Sequence, residues 1–404
     1  MRIFSFHLMP YDRLPADYDG PSWITCPNSF YDPEHGNELY NRYIDELVLA
    51  AELGLDGVCV NEHHQNAYGN MPSPNLIASI LAREVPEPAK IAVVGNALPL
   101  YDPPARVGEE FAMIDVISGG RLIAGFVVGG GPEYYSFGVN PAEARGRFYE
   151  AHDLIVESWT RDGPFAFNGK YYKYKYVNPW PRPIQKPFPE IWVPGVGSLE
   201  TMEFVARRRY AYMGIPYFHI DTFERTFATF REIVAKEGYT PSPYQMGWLV
   251  PIFVAETDEQ ARELYEDHIW YFAKRLLPGI SIQPPGYTSE RSIVNIMKAM
   301  SGGSKPFMLD VESWEQLVEG EYVIVGSPDT VYERLAERVS SLGVGNLLAL
   351  LQLGTMGHDI TEANIRMFAG EVAPRLRETF GEFAAAPAPL TPAQVAELDA
   401  AEAS

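Results

Sequence analysis

The stretch Val58–Gly69 reads Val-Cys-Val-Asn-Glu-His-His-Gln-Asn-Ala-Tyr-Gly, a short apolar run that leads directly into titratable and amide side chains. A parallel strand that carries such groups at its carboxyl end is typical of a (β/α)8 barrel, which places catalytic residues on its top face. Because side chains alternate along a strand, Asn61 and His63 are predicted on one face and Glu62 and His64 on the other. We expect the chemistry of the protein here.

Strand-like and helix-like patterns alternate on both sides of this stretch. Strands are predicted at 2–8, 57–61, 91–98, 121–128, 190–194, 210–214, 248–254 and 345–351. Helices are predicted at 37–53, 74–84, 104–118, 141–160, 199–208, 222–236, 258–276, 328–342 and 360–380. This alternation, without a long polar linker, favours an α/β fold built as a single (β/α)8 TIM barrel over two separate domains.

Three segments exceed a minimal barrel and are predicted as loop insertions, at about 9–36, 163–189 and 277–325. Long loops on the top face of a barrel usually form the substrate pocket or a lid over it. The barrel with these insertions is predicted to span residues 1–383, and the Ala- and Pro-rich residues 384–404 are predicted to form a C-terminal tail.

The amino-acid composition excludes some classes of binding partner. The 404 residues include 53 acidic and 32 basic side chains, which gives a net charge of −21. The electrostatic field of so acidic a protein repels nucleic acids and anionic lipids, so neither is expected as a partner. The chain has two cysteines, and Cys59 lies in an apolar strand, which favours a reducing compartment over a disulfide framework. The sequence has no run of eighteen apolar residues and no signal-peptide pattern, so we expect a cytoplasmic protein.

Metal binding is the first alternative for His63 and His64. Adjacent residues on a strand point to opposite faces and do not easily share one ion, and the sequence contains no His-x-His pair. We therefore expect no metal site. A purely structural role, with both imidazoles bonded to the backbone at a loop entry, remains open at this point.

Three further segments contain candidate ligand-binding residues on the same face of the predicted barrel. In Ile91–Pro99 a glycine before Asn96 indicates either a kink with close ligand approach or a plain strand end. The triple glycine in Val128–Tyr134 allows the backbone to lie flat against a planar or anionic ligand. Ser198 is predicted as the N-cap of a helix and Thr201 as its third residue, an arrangement that suits either a phosphate site or an ordinary cap.

In this order and spacing, the segments resemble the bacterial luciferase-like flavin-dependent monooxygenase family. The resemblance covers nearly the whole barrel. Its most specific pieces are Glu62-His63-His64, the block Arg106…Glu109…Asp115…Ser118-Gly119-Gly120-Arg121, and Gly197-Ser198…Thr201. The family fold is a single (β/α)8 barrel, which agrees with the prediction from the pattern.

The resemblance implies a two-component monooxygenase. A separate flavin reductase supplies reduced FMN, which reacts with O2, and a 4a-hydroperoxyflavin then oxygenates a mainly apolar small organic substrate. His63 corresponds to the catalytic position. The predicted cofactor-binding residues are Asn96, Gly129, Gly130, Ser198 and Thr201, and the predicted aromatic pocket residues are Tyr68, Tyr134, Tyr210 and Trp248. The family commonly pairs through barrel helices, so a homodimer is expected, with the helix at 74–84 as a candidate.

One departure from the family concerns the flavin phosphate. Members often have an Arg-Gly pair after the fourth strand, whereas this chain has Val128-Gly129. Another cation must then help, and the candidates are Arg182, Arg207, Arg208 and Arg209; the last three are equally suited to solvent or to acidic neighbours. This departure keeps a deazaflavin-dependent oxidoreductase as an alternative. A non-catalytic flavin-binding subunit and a flavin-independent hydrolase are the others.

Overall fold

Parallel strands form a closed barrel in the computed structural model, which describes residues 1–280, 282, 284–286 and 307–402. The strands are β1 (Arg2–Phe6), β2 (Gly57–Val60), β3 (Lys90–Ala97), β4 (Leu122–Val127), β5 (Phe165–Asn168), β6 (Lys173–Val177), β7 (Glu190–Gly195), β8 (Ala211–Gly214), β9 (Met246–Val254), β10 (Ile324–Gly326) and β11 (Asn346–Leu350). The barrel closes in the order β1, β2, β3, β4, β7, β8, β9, β11, and back to β1. The predicted (β/α)8 barrel is confirmed.

Helices surround this barrel. They are α1 (Pro33–Glu52), α2 (Pro74–Glu84), α3 (Ala105–Ile117), α4 (Gly131–Phe137), α5 (Ala144–Thr160), α6 (Leu199–Arg208), α7 (Ile220–Lys236), α8 (Asp258–Tyr271), α9 (Trp314–Glu319), α10 (Pro328–Leu342), α11 (His358–Met367), α12 (Ala373–Phe380) and α13 (Pro392–Glu402). Among the described residues, none of the helices is both long and apolar enough to cross a membrane.

The strands are apolar along their length because helices cover one face and side chains fill the barrel on the other. All nine residues of β9 are buried, as are all four of β2. Each helix instead buries the apolar side chains of one face. In α7, for example, Phe223, Phe227 and Phe230 are buried against the barrel. This helix begins after His219, whose Nδ1 accepts a hydrogen bond from the N–H of Asp221.

The Asp115–Arg121 segment, part of the block that carried the resemblance, contacts neighbouring backbone and not the cavity described below. The Arg121 guanidinium donates to the carbonyl oxygens of Ala82, Val85 and Ala89, and so ties the start of β4 to the end of α2. The buried Asp115 carboxylate accepts hydrogen bonds from the backbone N–H groups of residues 184 and 185. Both side chains therefore stabilise the amino-terminal side of the barrel.

Departures from a minimal barrel fall in the predicted insertions. The segment 163–189 contains the antiparallel hairpin β5–β6. Of the segment 277–325, residues 281, 283 and 287–306 lie outside the described part, and the rest includes α9 and β10, which extends the sheet beside the end of β9. In the segment 384–404, α13 follows Thr391, whose hydroxyl accepts a hydrogen bond from the N–H of Gln394. The division into barrel and tail stays a prediction.

Candidate active site

A cavity of about 850 Å³ lies where the strands end. The segments that follow β2, β4 and β8 form much of its wall, as the barrel architecture requires of a ligand site. Its polar lining residues are Asn61, Glu62, His63, Glu133, Arg145, Ser198, Thr201 and Asp310, and its aromatic lining residues are Phe6, Trp23, Tyr68, Tyr217, Phe218 and Phe307. The remaining lining is mainly aliphatic and glycine, so the polar groups are few and placed at particular points.

His63 lies in the cavity wall with its ring packed between aromatic side chains. Its ring centroid is 5.3 Å from that of Trp23 and 5.0 Å from that of Tyr68, both at steep angles. On its other side, Nδ1 lies 3.3 Å from Oε1 of Glu133, a side chain that is only 1% exposed. Packing and this contact together hold the imidazole in one orientation, which is the condition for a positioned acid or base.

Behind His63, Glu62 and His64 form a buried network. Oε1 of Glu62 lies 2.9 Å from Nε2 of His64, while Oε2 accepts hydrogen bonds from the amide of Asn96 and the hydroxyl of Tyr101. Burial acts to lower the pKa of His64, but the hydrogen bond to Glu62 and the charges of Glu62 and Glu133 outweigh it and raise that pKa. His64 is therefore held beside two carboxylates, whereas His63 faces the cavity.

The amino-terminus of α6 forms one end of the cavity, beside an arginine of α5. Ser198 and Thr201 both line the cavity, and the guanidinium of Arg145 on α5 donates to the Ser198 hydroxyl at 2.8 Å and to that of Thr201 at 3.3 Å. Ser198 is the N-cap but makes no side-chain cap hydrogen bond, so the first-turn N–H groups are not capped by it. The Ser198 hydroxyl itself donates to the carboxylate of Glu200 at 2.9 Å. Beside that carboxylate, the guanidinium, the two hydroxyls and the helix amino-terminus are groups that can bind a phosphate.

Glycines let the backbone itself form part of the wall. Gly129 has a φ of +98°, and a Cβ there would lie 3.1 Å from the Cβ of Ala97. At Gly95 a Cβ would lie 2.6 Å from the backbone carbon of Gly125, so β3 and β4 approach too closely for any side chain. These positions present flat backbone to the cavity, which suits a planar ring system.

The hydroxyl groups of two tyrosines are polar groups within the aromatic part of the cavity wall. The hydroxyls of Tyr68 and Tyr217 lie 2.9 Å apart, and both residues line the cavity. Burial raises the pKa of each phenol well above its ordinary value, so both stay protonated at neutral pH. In addition, the buried Oδ1 of Asn61, another lining residue, has no hydrogen-bond partner within the described residues. These groups are available to orient a polar atom of a bound molecule.

The structure brings together most of the site residues predicted from the sequence. His63, Gly129, Gly130, Ser198, Thr201 and Tyr68 all line this cavity. Asn96, Tyr134, Tyr210 and Trp248 do not appear in its lining. The side chain of Asn96 instead donates a hydrogen bond to Glu62. The register of β3 shifts between Val93 and Asn96, so the side chains do not alternate there as in a regular strand.

Three of the predicted aromatic residues do not line the cavity and pack against other parts of the protein. The hydroxyl of Tyr134 donates to the carbonyl of Val128, and the ring packs in a cluster with Ala97, Leu100 and Ala144. Tyr210 precedes β8 and therefore lies at the amino-terminal end of the barrel, with its hydroxyl on His152. Trp248 packs on Phe223 of α7, on the helix side of β9. Strand periodicity alone does not distinguish these faces.

The cation that faces Ser198 is none of the arginines proposed from the sequence. Arg182 donates to the Trp159 carbonyl and to Asp162. Arg207 pairs with Glu237, Asp399 and Glu402, Arg208 pairs with Asp153, and Arg209 lies over the ring of Tyr239. Arg145 occupies the position instead, and nothing in its local sequence marks it.

Glu133 is the other site residue that sequence reasoning did not single out. Its Oε2 accepts a hydrogen bond at 3.0 Å from the N–H of Gly130, three residues earlier. A glutamate at the third position of a helix that reaches back to the N-cap is a known capping pattern, and this spacing was the available signal. Within the described part of the chain, no group of three or more His, Cys, Asp or Glu side chains is arranged to hold a metal ion.

Comparisons with known proteins agree with this geometry. Residues 23–345 match the family model of luciferase-like monooxygenases. The chain is 24% identical over 381 residues to 3,6-diketocamphane 1,6-monooxygenase from Pseudomonas putida, a match that covers 84% of this chain and 93% of that protein. It is 34% identical over 164 residues to the uncharacterised protein y4wF of Sinorhizobium fredii, covering 40% of this chain and 47% of that protein, which is about half its length.

Solved structures share the fold. The oxygenating constituent of 3,6-diketocamphane monooxygenase from Pseudomonas putida, in complex with FMN, superposes with a TM-score of 0.68 at 22% identity and covers 93% of this chain and 98% of that one. The coenzyme F420 dependent tetrahydromethanopterin reductase from Methanopyrus kandleri gives a TM-score of 0.60 at 18% identity, with 82% and 94% covered.

Proposed function

Because the chain belongs to the luciferase-like monooxygenase family, we propose that it is the oxygenase component of a two-component system that uses reduced FMN and O2 to oxygenate a mainly apolar small organic molecule. Membership confirms the predicted family and the prediction of an enzyme, an oxidoreductase. The observation that carries the proposal is one cavity that combines an anion-binding helix end, a flat backbone wall and an oriented histidine.

The residues present fit FMN. Arg145, Ser198, Thr201 and the amino-terminus of α6 would hold the phosphate, since a local cation offsets the unfavourable field of a chain with a net charge of −21. The glycine-lined ends of β3 and β4, including Gly129, would lie against the flavin ring. Reduced FMN, when bound, supplies the two electrons that activate O2.

The protein residues would control protons and water around that chemistry. His63 is held by Glu133 and by aromatic packing, so its imidazole can take up or release a proton at a fixed place in the cavity. The largely apolar lining would limit the access of water, and so the loss of activated oxygen as hydrogen peroxide, and it favours an apolar substrate. The hydroxyls of Tyr68 and Tyr217 would orient a polar atom of that substrate.

The test is an anaerobic titration of the purified protein with reduced FMN, followed by rapid mixing with oxygenated buffer and absorbance detection. Saturable binding and a long-lived absorbing species formed with oxygen support the proposal. Oxidation at the rate of free flavin, with no binding, refutes it. Binding of a reduced deazaflavin instead would assign the chain to the deazaflavin-dependent alternative, and flavin binding with no oxygen-dependent species would assign it to a non-catalytic subunit.

We also propose that the protein is a homodimer that pairs through α2 and α3. These neighbouring helices carry large apolar side chains on their outer surface: Leu76, Ile80, Met113, Val116 and Ile117. Leu76 is 69% exposed, and several exposed apolar side chains on two neighbouring helices are typical of a protein contact. Light scattering after size-exclusion chromatography should give a dimer for the wild type and a monomer for Leu76→Lys; a monomeric wild type refutes the proposal.

A further inference from the structure

We infer that Glu133 is a positioning residue that fixes the proton of His63 on Nδ1 and leaves Nε2 as the basic atom in the cavity. The inference rests on the proposed function only in giving His63 a catalytic role. The location of the proton itself follows from contacts among His63, His64, Gly130 and Glu133, and it can be measured without flavin, oxygen or substrate.

The carboxylate of Glu133 is held at both oxygens. Oε1 accepts the backbone N–H of His64 at 3.0 Å and lies 3.3 Å from Nδ1 of His63, while Oε2 accepts the N–H of Gly130 at 3.0 Å. The side chain is almost fully buried, so rotation would leave two backbone donors and a carboxylate without partners. Glu133 therefore joins the segment after β2 to the start of α4 and presents one oxygen to the imidazole.

This arrangement selects one tautomer of His63. A carboxylate only accepts hydrogen bonds, so the imidazole nitrogen beside it must carry the hydrogen. Nδ1 is then the donor, and Nε2 carries the lone pair. Among the described residues, no side chain or backbone group forms a hydrogen bond with Nε2, and the ring lines the cavity.

The chemical consequence concerns a proton from an acidic O–H group bound in the cavity. Nε2 accepts that proton, Nδ1 keeps its own, and the adjacent carboxylate of Glu133 stabilises the resulting imidazolium. Without Glu133 the ring can adopt the other tautomer, in which Nε2–H is a donor and the base is lost. Glu133 acts on the reaction only through His63.

The first experiment measures the tautomer directly. The protein, with its eight histidines labelled with 15N, is studied by long-range 1H–15N correlation in the resting state, and His63→Gln identifies the signal of residue 63. The wild type should show His63 as the Nδ1–H form. An Nε2–H form in the wild type overturns the inference, and this result requires no change at Glu133.

The second experiment removes the carboxylate and leaves a side chain of similar size. In Glu133→Leu no oxygen faces Nδ1 of His63, so His63 should shift toward the Nε2–H form. The matched control is Glu62→Leu, which removes another buried carboxylate bonded to a histidine; it should alter the signal of His64 and leave His63 in the Nδ1–H form. An unchanged His63 signal in folded Glu133→Leu overturns the inference.

The third experiment applies once the enzyme turns over. Glu133→Leu should lower the rate of coupled oxygenation by at least about tenfold, since a positioned acid or base contributes about 10²–10⁴-fold, while the Kd for reduced FMN stays within about twofold. An unchanged coupled rate contradicts the positioning role. If no flavin binds to the wild type, the proposed function is wrong. The assignment of the proton to Nδ1 is tested separately, by the spectra of the first two experiments.

Discussion

Removal of the Arg145 charge should weaken reduced FMN specifically through its phosphate. In Arg145→Gln the guanidinium that donates to Ser198 and Thr201 is lost, while a polar side chain of moderate length remains on α5. A hydrogen bond to a charged group contributes about 1.5–3 kcal/mol. Loss of about 2–3 kcal/mol corresponds to a rise in Kd of roughly 30–150-fold.

The assay is anaerobic titration with reduced FMN and, in parallel, with reduced riboflavin, which has the same ring but no phosphate. The loss in Arg145→Gln should appear for FMN and be within about twofold for riboflavin, since the contacts of the ring are unchanged. Riboflavin should bind the wild type more weakly than FMN, at an affinity close to that of FMN for the variant.

The matched control is Arg182→Gln, which removes an arginine that contacts Asp162 and the Trp159 carbonyl and is absent from the cavity lining. It should leave both affinities unchanged. Equal losses for FMN and riboflavin in Arg145→Gln would mean that the arginine supports the cavity generally and not the phosphate. No loss for either ligand would show that the anion-binding assignment is wrong.

Three further predictions follow from side chains of the same region. His63→Ala should keep the circular dichroism spectrum of the wild type but divert oxygen consumption to hydrogen peroxide; normal coupled product formation would remove His63 from the mechanism. Gly129→Ala should lower the free energy of unfolding by about 1–3 kcal/mol because its φ is +98°, whereas Gly370→Ala, with open space around it, should be neutral or stabilising in the same denaturant titrations. Because the pKa of His64 is raised in the folded state, its charge stabilises the fold below the unfolded pKa, and this contribution is lost as pH rises through the folded pKa; Glu62→Gln should therefore destabilise more at pH 6 than at pH 9, and an equal loss at both would contradict the pairing.

The barrel was predictable because its strands carry an explicit signal. Each barrel strand is a short, mainly apolar run, and the observed bounds differ from the predicted ones by a few residues. The hairpin β5–β6 and the short helices α4 and α9 were not predicted, because their exposed and buried side chains show no clear period. The strand β10 was not predicted because it is only three residues long, although all three are buried.

The candidate site was predictable only where function lies next to a strand end in the sequence. His63 follows β2 directly, and Ser198 precedes α6, so local patterns located both. Asn96 was predicted to bind the cofactor from the family resemblance, and its side chain bonds to Glu62 after a register shift in β3 that the sequence does not reveal. Arg145 and Glu133 act across distances of 53 and 70 residues along the chain, and such contacts depend on tertiary packing.

The position of Arg145 on α5 also affects how relatives of this chain are found. A sequence search that requires arginine directly after the fourth barrel strand rejects this protein at Val128, although a guanidinium stands beside the same helix end in space. What phosphate binding requires is a positive charge at that place in space, which residues at different positions of the sequence can supply. Relatives that lack the Arg-Gly pair are therefore better classified by which residue faces the two hydroxyls at the start of α6.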